Sequence, residues 1–289
     1  MDHMPTPDEI FGSYTAWKLT PKTWVISFMN GSQFIYLLEG DNKALLTDTG
    51  YGLGHLREFC EGLTDKEILC ANTHFHPDHA AGNGEFTEAI VSEDWKLDEP
   101  SVTEGEYPYD LSSFPHPDYK KILVGESGLD IDLGNRVVKA VKAKPAHCNS
   151  SVFFVDETEG LLVVGDDMES AQVMMHDNSM NPNAPYHVRT RLENLKQNTE
   201  WMKSLVEQQI VKYILPNHNG TPISPEYLDD FIGLVDHIFQ GDATIEDRLN
   251  HPYVEMDPNS KYLCRVRYRH ASIFIKKEEV LKVYGKSFE

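Results

Sequence analysis

The chain has 289 residues, 40% of them hydrophobic and 25% charged, with a formal net charge of −20. That length can bury a substantial core in one large domain or two small ones, and the composition is that of an ordinary globular protein. So acidic a balance disfavours non-specific binding to nucleic acid or anionic lipid. No run of about 18 apolar residues is present to span a membrane. The start, MDHMPTPDEIFGSYTAW, lacks the basic and apolar regions of a signal peptide.

In chain order, TWVISFMN and SQFIYLLEGDNKALLTDTG read as strands punctuated by Asn30-Gly31 and Gly40-Asp41-Asn42. HLREFCEGL sets Leu56, Phe59, Cys60 and Leu63 at helical spacing. EILCANT is a short apolar strand that runs into ANTHFHPDHAAGNG. Residues 95–121 hold four prolines and three tyrosines with little periodicity, so mostly loop is expected there. NRVVKAVKAKPAHCNSSVFFVDETEGLLVVGDD turns and alternates like antiparallel strands. HVRTRLENLKQNTEWMKSLVEQ places Leu192, Leu195, Met202, Leu205 and Val206 on one face of a long helix. IVKYILPNHNG is another strand ending in turn residues, PEYLDDFIGLVDHIFQG a second amphipathic helix closed by Gly241, and KYLCRVRYRHASIFIK two further strands. No repeat, low-complexity tract or linker interrupts the chain. The expectation is one α/β domain over 1–289, with a core at about 20–240 and an extension at 241–289. Cys60, Cys70, Cys148 and Cys264 form no CxxC pair, which fits a reduced, cytoplasmic setting.

His74, His76, Asp78 and His79 crowd six positions. On an extended segment His74 and His76 share one side, because strand side chains repeat every two residues. Pro77 then breaks the segment, so that Asp78 and His79 return from a new direction. Ala80, Ala81, Gly82 and Gly84 allow close packing around them. Histidines and carboxylates at this spacing follow metal-ligand logic. His147 in KPAHCNSS, Asp166 in LLVVGDDM and His218 in ILPNHNG each stand at the end of an apolar strand, where sites of layered α/β folds gather. Gly165 leaves room for close approach beside Asp166.

The set HxHxDH at 74–79, His147, Gly165-Asp166 and His218, preceded by LLTDTGYG, resembles the metallo-β-lactamase-fold hydrolase superfamily over residues 20–240. The resemblance implies a four-layer αββα sandwich, two mixed β-sheets flanked by helices. It implies that His74, His76 and His147 hold one metal, that Asp78, His79 and His218 hold a second, and that Asp166 bridges them. The metals would be two divalent ions, zinc first, with manganese or iron as alternatives. A metal-bridged hydroxide would attack a carbonyl or phosphoryl centre, with Asp78 orienting it and serving as acid to the leaving group.

The expected activity is hydrolysis of a small-molecule thioester, lactone or ester, as in glyoxalase II-like and lactonase-like relatives. The alternatives are a mononuclear iron sulfur dioxygenase on the same fold, or β-lactamase-like or phosphodiesterase chemistry. No nucleic acid or membrane partner is expected, and nothing in the sequence argues against a homodimer. AHCNSS replaces the usual glycine-rich segment around the third histidine, and PNHNG replaces Pro-Gly-His-Gly, so the local loops should differ. Asp48 reads equally as a group supporting the site or as a turn aspartate. Tyr107, Tyr109 and His116 are candidates to line a pocket. After Asp166, His176, Tyr186, His187 and three methionines are candidates too, with Tyr186 donating to a substrate carbonyl. Asp167 should point away from the metals by strand alternation.

Overall fold

The computed structural model describes residues 14–28, 31–52, 54–98, 119–170, 172–175, 187–247 and 263–284. Seven strands neighbour one another in chain order: β1 (Thr15–Thr20), β2 (Thr23–Phe28), β3 (Gln33–Glu39), β4 (Lys43–Thr47), β5 (Glu67–Ala71), β6 (Glu88–Ser92) and β7 (Lys120–Val124). The first four pair antiparallel, and β4 to β7 run parallel. Parallel strands need crossovers. One carries helix α1 (Leu56–Glu61), the next the short helix α2 (Pro77–Ala80) and a 3-10 turn at Ala81–Glu85.

A second mixed sheet joins β8 (Leu129–Asp132), β9 (Val137–Lys142), β10 (Val152–Asp156) and β11 (Leu161–Gly165) as an antiparallel meander. A third sheet includes the two-residue strand β12 (Val173–Met174). Strand β13 (Tyr213–Pro216) adds parallel to β11 in the second sheet.

The layers follow from which faces are apolar. Along β3, Tyr36 and Leu38 face the second sheet and meet Val138, Phe154, Leu161 and Val163. Ile35 and Leu37 face the other way and pack with Leu56 and Cys60 of α1, as the two-residue repeat of a strand dictates. On the far side of the second sheet, Phe153, Val155, Leu162 and Val164 meet helices α3 (Val188–Glu207) and α4 (Glu226–Gln240). Strands covered on both faces read as unbroken apolar runs, which is why VFFV and LLVV lack alternation. Helix α4 buries Leu228, Phe231, Leu234, Val235 and Ile238 at helical spacing. It stops at Gly241, whose φ of 78° suits the left-handed cap that glycine adopts freely. The order helix, sheet, sheet, helix is the αββα sandwich expected from the sequence.

Three features add to or depart from the sequence expectations. A third sheet completes the C-terminal part: β14 (Thr244–Asp247), β15 (Leu263–Tyr268) and β16 (Ala271–Lys276) are antiparallel neighbours, and β16 pairs parallel with β12. Cys264, Val266, Ile273 and Ile275, with Val280 of α5 (Lys277–Val283), join the core under α3 and α4. The region read as loop begins with a helical turn at 95–98 and ends in β7, and Tyr107, Tyr109 and His116 lie outside the described residues. The strand before the histidines ends at Ala71, short of His74. Among the described residues, no helix is long and apolar enough to cross a membrane.

Candidate metal centre

The two large sheets close on each other at one edge. Phe34 N–H donates to the Asn217 carbonyl at 2.7 Å, and Val152 N–H donates to the Thr73 carbonyl at 2.6 Å. Around this seam the chain carries His74, His76, Asp78 and His79 after β5, His147 between β9 and β10, Asp166 after β11 and His218 after β13.

The local shape of the histidine segment departs from a broken strand. Asp48 takes the Thr73 N–H at Oδ1 and the Thr73 hydroxyl at Oδ2, both at 2.7 Å, doing the work a neighbouring strand would otherwise do. His76 is extended and Pro77 opens α2, where its missing N–H costs nothing. Asp78 and His79 are therefore successive helical residues rather than a return from a strand break. Beneath them, Asn72 Nδ2 and the Thr49 N–H and hydroxyl all donate to the His79 carbonyl, and Asn83 pairs with Asn72 through both amide atoms.

The side chains converge in two groups, His74 with His76 and His147, and Asp78 with His79, Asp166 and His218. In the first, His76 Nδ1 lies 3.1 Å from both His74 Nε2 and His147 Nε2. The outer ring nitrogens assign the tautomers. The Thr73 hydroxyl gives its proton to Asp48, so it accepts from His74 Nδ1–H at 3.1 Å. His147 Nδ1–H donates to the Met174 carbonyl at 2.8 Å. Two lone pairs, His74 Nε2 and His147 Nε2, thus face a third ring nitrogen in a buried space. Tetrahedral zinc with bonds of about 2.0 Å to nitrogen has ligand edges of about 3.3 Å, close to this spacing.

In the second group, Asp78 Oδ2 lies 3.2 Å from the Nε2 atoms of His79 and His218. His79 Nδ1 donates to Asp48 Oδ2 at 3.1 Å and His218 Nδ1 to the Ser32 carbonyl at 2.7 Å, so both Nε2 atoms point inward. Asp166 Oδ2 stands between the groups, 3.4 and 3.6 Å from His79 and His218 and 3.8 and 4.0 Å from His147 and His74. One oxygen therefore faces both groups. Asp166 Oδ1 and His79 Nε2 are buried without a hydrogen-bond partner. An orphaned buried carboxylate oxygen such as Asp166 Oδ1 is costly unless a cation meets it, and the donor set fits divalent ions.

Electrostatics separates the groups. Burial and neighbouring imidazoles hold His74 well below the ordinary histidine pKa, and His76 and His147 are also depressed, by burial first. Burial opposes charge on His79 too, but Asp78, Asp166 and Asp48 outweigh it and lift its pKa well above the ordinary value. His218 rises to about 10 against burial, through Asp166 and Asp78. Asp78 and Asp166 are held low by the facing histidines despite burial.

The loop around His147 differs from a glycine-rich one because buried polar groups brace it. Asp98 accepts from Asn149 N, Asn149 Nδ2 and Ser150 N at 2.7–3.0 Å. Arg191 of α3 donates to the Cys148 carbonyl at 2.6 Å and to Asn149 Oδ1 at 2.7 Å. Asp167 does face away from the centre, but it is buried and accepts from His147 N–H and the Ser151 hydroxyl. Cys148 lies 3.2 Å from Ser151 Oγ, and burial pushes its thiol well above the ordinary pKa, so it stays protonated. Gly165 has φ 59°, and a Cβ there would lie 2.8 Å from Thr73 Cβ and Oγ1, which accounts for the glycine before Asp166.

Sequence reasoning missed Asp98, Arg191, Asn72, Asn83 and Glu169, none of which stands in a recognisable motif. Glu169 is buried and accepts from Asn219 Nδ2, while the Ser170 hydroxyl donates to the Asn219 carbonyl, so the two clamp the turn after His218. Asp48 is resolved as a support rather than a turn residue: Asn217 Nδ2 is its fourth donor, at 2.7 Å. His176 and Tyr186 lie outside the described residues, and His187 is an exposed residue at the start of α3.

The metallo-beta-lactamase superfamily model matches residues 29–197. Among curated proteins no relative matches the sequence. Among solved structures, a metallo-beta-lactamase from Pontibacter korlensis shares 14% identity at a TM-score of 0.56, over 78% of this chain and 99% of that one. A metallo-beta-lactamase HARLDQ motif mutant from Cronobacter sakazakii shares 18% at 0.54, over 78% and 96%. The stereoselective inverting sec-alkylsulfatase Pisa1 from Pseudomonas sp. shares 13% at 0.56, over 79% of this chain and 42% of its own. At these identities the likeness is one of fold. With the family match covering more than half of the sequence and two histidine–aspartate groups suited to metal ions, the chain belongs to the metallo-beta-lactamase superfamily, and these findings support a metal-dependent hydrolase.

Proposed function

We propose that the chain hydrolyses a small-molecule thioester, lactone or ester with two divalent ions, zinc before manganese or iron, held by His74, His76 and His147 on one side and Asp78, His79 and His218 on the other, with Asp166 between. The observation that carries this reading is the convergence of five imidazole nitrogens and two carboxylates in two close groups, with Asp166 Oδ1 buried and left without a hydrogen-bond partner. Bound ions would supply Lewis acidity and an ionised water near neutral pH. The chain's own groups do the rest. Asp48, Ser32 and Met174 fix ring directions, and Gln33 Nε2 donates to the Asp78 carbonyl and holds that residue in place. Asp78 and His218 are the partly exposed members of the set, with side chains 18% and 23% accessible, so approach from solvent is from their side. Asp78, which the facing histidines hold ionised, is the group we assign to take a proton from the attacking water and pass it to the leaving group, and Tyr186 the donor to the substrate carbonyl.

The test is a panel of thioesters, lactones, esters, a phosphodiester, a secondary alkyl sulfate and a β-lactam, each assayed with zinc, manganese and iron. The expected result is turnover of an ester-type bond at about two metals per chain without oxygen uptake. Turnover only with one iron per chain and oxygen consumption would establish the dioxygenase instead.

A further inference from the structure

The orienting contacts of the histidines come from different parts of the chain. Thr73 holds His74, Asp48 holds His79 and Ser32 holds His218, all from the first 73 residues. His147 is oriented from a main-chain carbonyl beyond residue 170, that of Met174. Met174 belongs to β12, a strand of two residues that pairs with neither large sheet. Strand β12 is held in register by the C-terminal segment: Val173 is opposite Ile273, Met174 is opposite Phe274, and Met175 N–H donates to the Phe274 carbonyl at 2.7 Å. Arg265 on β15 adds a side-chain tie, donating to Gln172 Oε1 at 3.1 Å while its guanidinium lies over the Phe274 ring at 5.1 Å.

A two-residue strand has too few ladder bonds to define its own position. We propose that the C-terminal sheet β14–β16, outside the stretch matched by the family, is a positioning device for the three-histidine group: it fixes the Met174 carbonyl, and through it the tautomer and direction of His147. The inference rests on the metal reading of that group. A ligand whose second nitrogen loses its fixed acceptor loses about 10–100-fold in metal affinity. In the four-ligand group His79 and His218 are oriented by Asp48 and Ser32 rather than from β12, so affinity there should not follow.

Met175→Pro removes the N–H that ties β12 to Phe274. Zinc would be titrated into the full-length chain, metal-free at the start, while ring-nitrogen NMR follows His147, His79 and His218 separately and calorimetry records unfolding. The expected result is a loss of about 10–100-fold in affinity read at His147, no change at His79 and His218, and a free His147 ring that exchanges between tautomers. If the proline variant does not fold, Arg265→Met takes its place, with Arg265→Lys, which restores a donor to Gln172, expected to recover the His147 signal. Arg267→Ala, on the exposed side of the same strand where it pairs with Glu246, is the control and should match wild type. Equal loss at all three histidines, or none in a folded variant, overturns the proposal. A wild-type chain that binds no zinc overturns instead the metal reading beneath it.

Discussion

Asp48→Asn isolates the charge that holds the centre together. Asp48 sits at φ 71°, a left-handed conformation that asparagine tolerates nearly as well as aspartate, so the backbone can stay in place. Its two oxygens accept from four donors: Thr73 N at Oδ1, and Thr73 Oγ1, Asn217 Nδ2 and His79 Nδ1 at Oδ2. An amide must turn its NH2 toward at least one of them. The least damaging orientation faces Thr73 N, losing one hydrogen bond to a charged acceptor and leaving buried donors opposed. Each of those losses costs about 1–3 kcal/mol, together about 2–6 kcal/mol. A domain in the middle of the ordinary range of about 5–15 kcal/mol survives this. At about 2–4 °C per kcal/mol the metal-free variant should melt about 4–24 °C lower.

His79 then turns on a neutral acceptor, and zinc affinity at its group should fall about 10–100-fold. Calorimetry of the metal-free protein and a competitive zinc titration would be run on the same preparation. Asp48→Ala, which deletes all four acceptors and also strains the left-handed backbone, should be worse on both counts. An unchanged melting temperature together with unchanged zinc affinity would falsify the assignment of Asp48 as the hub.

The other predictions concern neighbouring groups. Asp166→Asn should lower metal content at both groups, since Oδ2 lies within 4.0 Å of four imidazole nitrogens; elemental analysis showing loss from one group only would mean the oxygen does not serve both. Asp167→Asn should destabilise the fold by about 1–3 kcal/mol and loosen His147, because it removes the acceptor of His147 N–H or of the Ser151 hydroxyl; a denaturation midpoint equal to wild type would refute this. Gly165→Ala should be less stable, by about 1–2 kcal/mol for the positive φ alone, with a further loss from pushing Thr73 against His74; a melt matching wild type would remove the steric argument. Metal binding should also depend on pH differently at the two groups. His79 and His218 are held above the ordinary histidine range, so in the metal-free chain they carry protons at pH 7 that binding must release, and affinity there should climb as pH rises toward about 10. His74, His76 and His147 are held below that range, are already neutral at pH 7, and should bind with little change above it. Equal pH slopes at the two groups would contradict this.

Much of the architecture was legible in the sequence because it is local. Leu228, Phe231, Leu234, Val235 and Ile238 announce α4 through their spacing, and Gly241 announces its end. The seven residues drawn from HxHxDH, His147, Asp166 and His218 could be named because ligand chemistry restricts residue type and order, and the structure brings all seven to one edge of the sandwich. What the tertiary structure alone decided depends on pairs far apart in the chain. Asp48 reads equally as a support of the site or a turn residue until Thr73, His79 and Asn217 fold around it. Asp98 and Arg191, far apart in the chain, both reach the side-chain amide of Asn149. Strand β12 has no signature at two residues, and it exists because β16, about a hundred positions later, offers it an edge. Periodicity and motif order are properties of neighbours in sequence, whereas the partner of a buried carboxylate or of a sheet edge is chosen by how the layers pack.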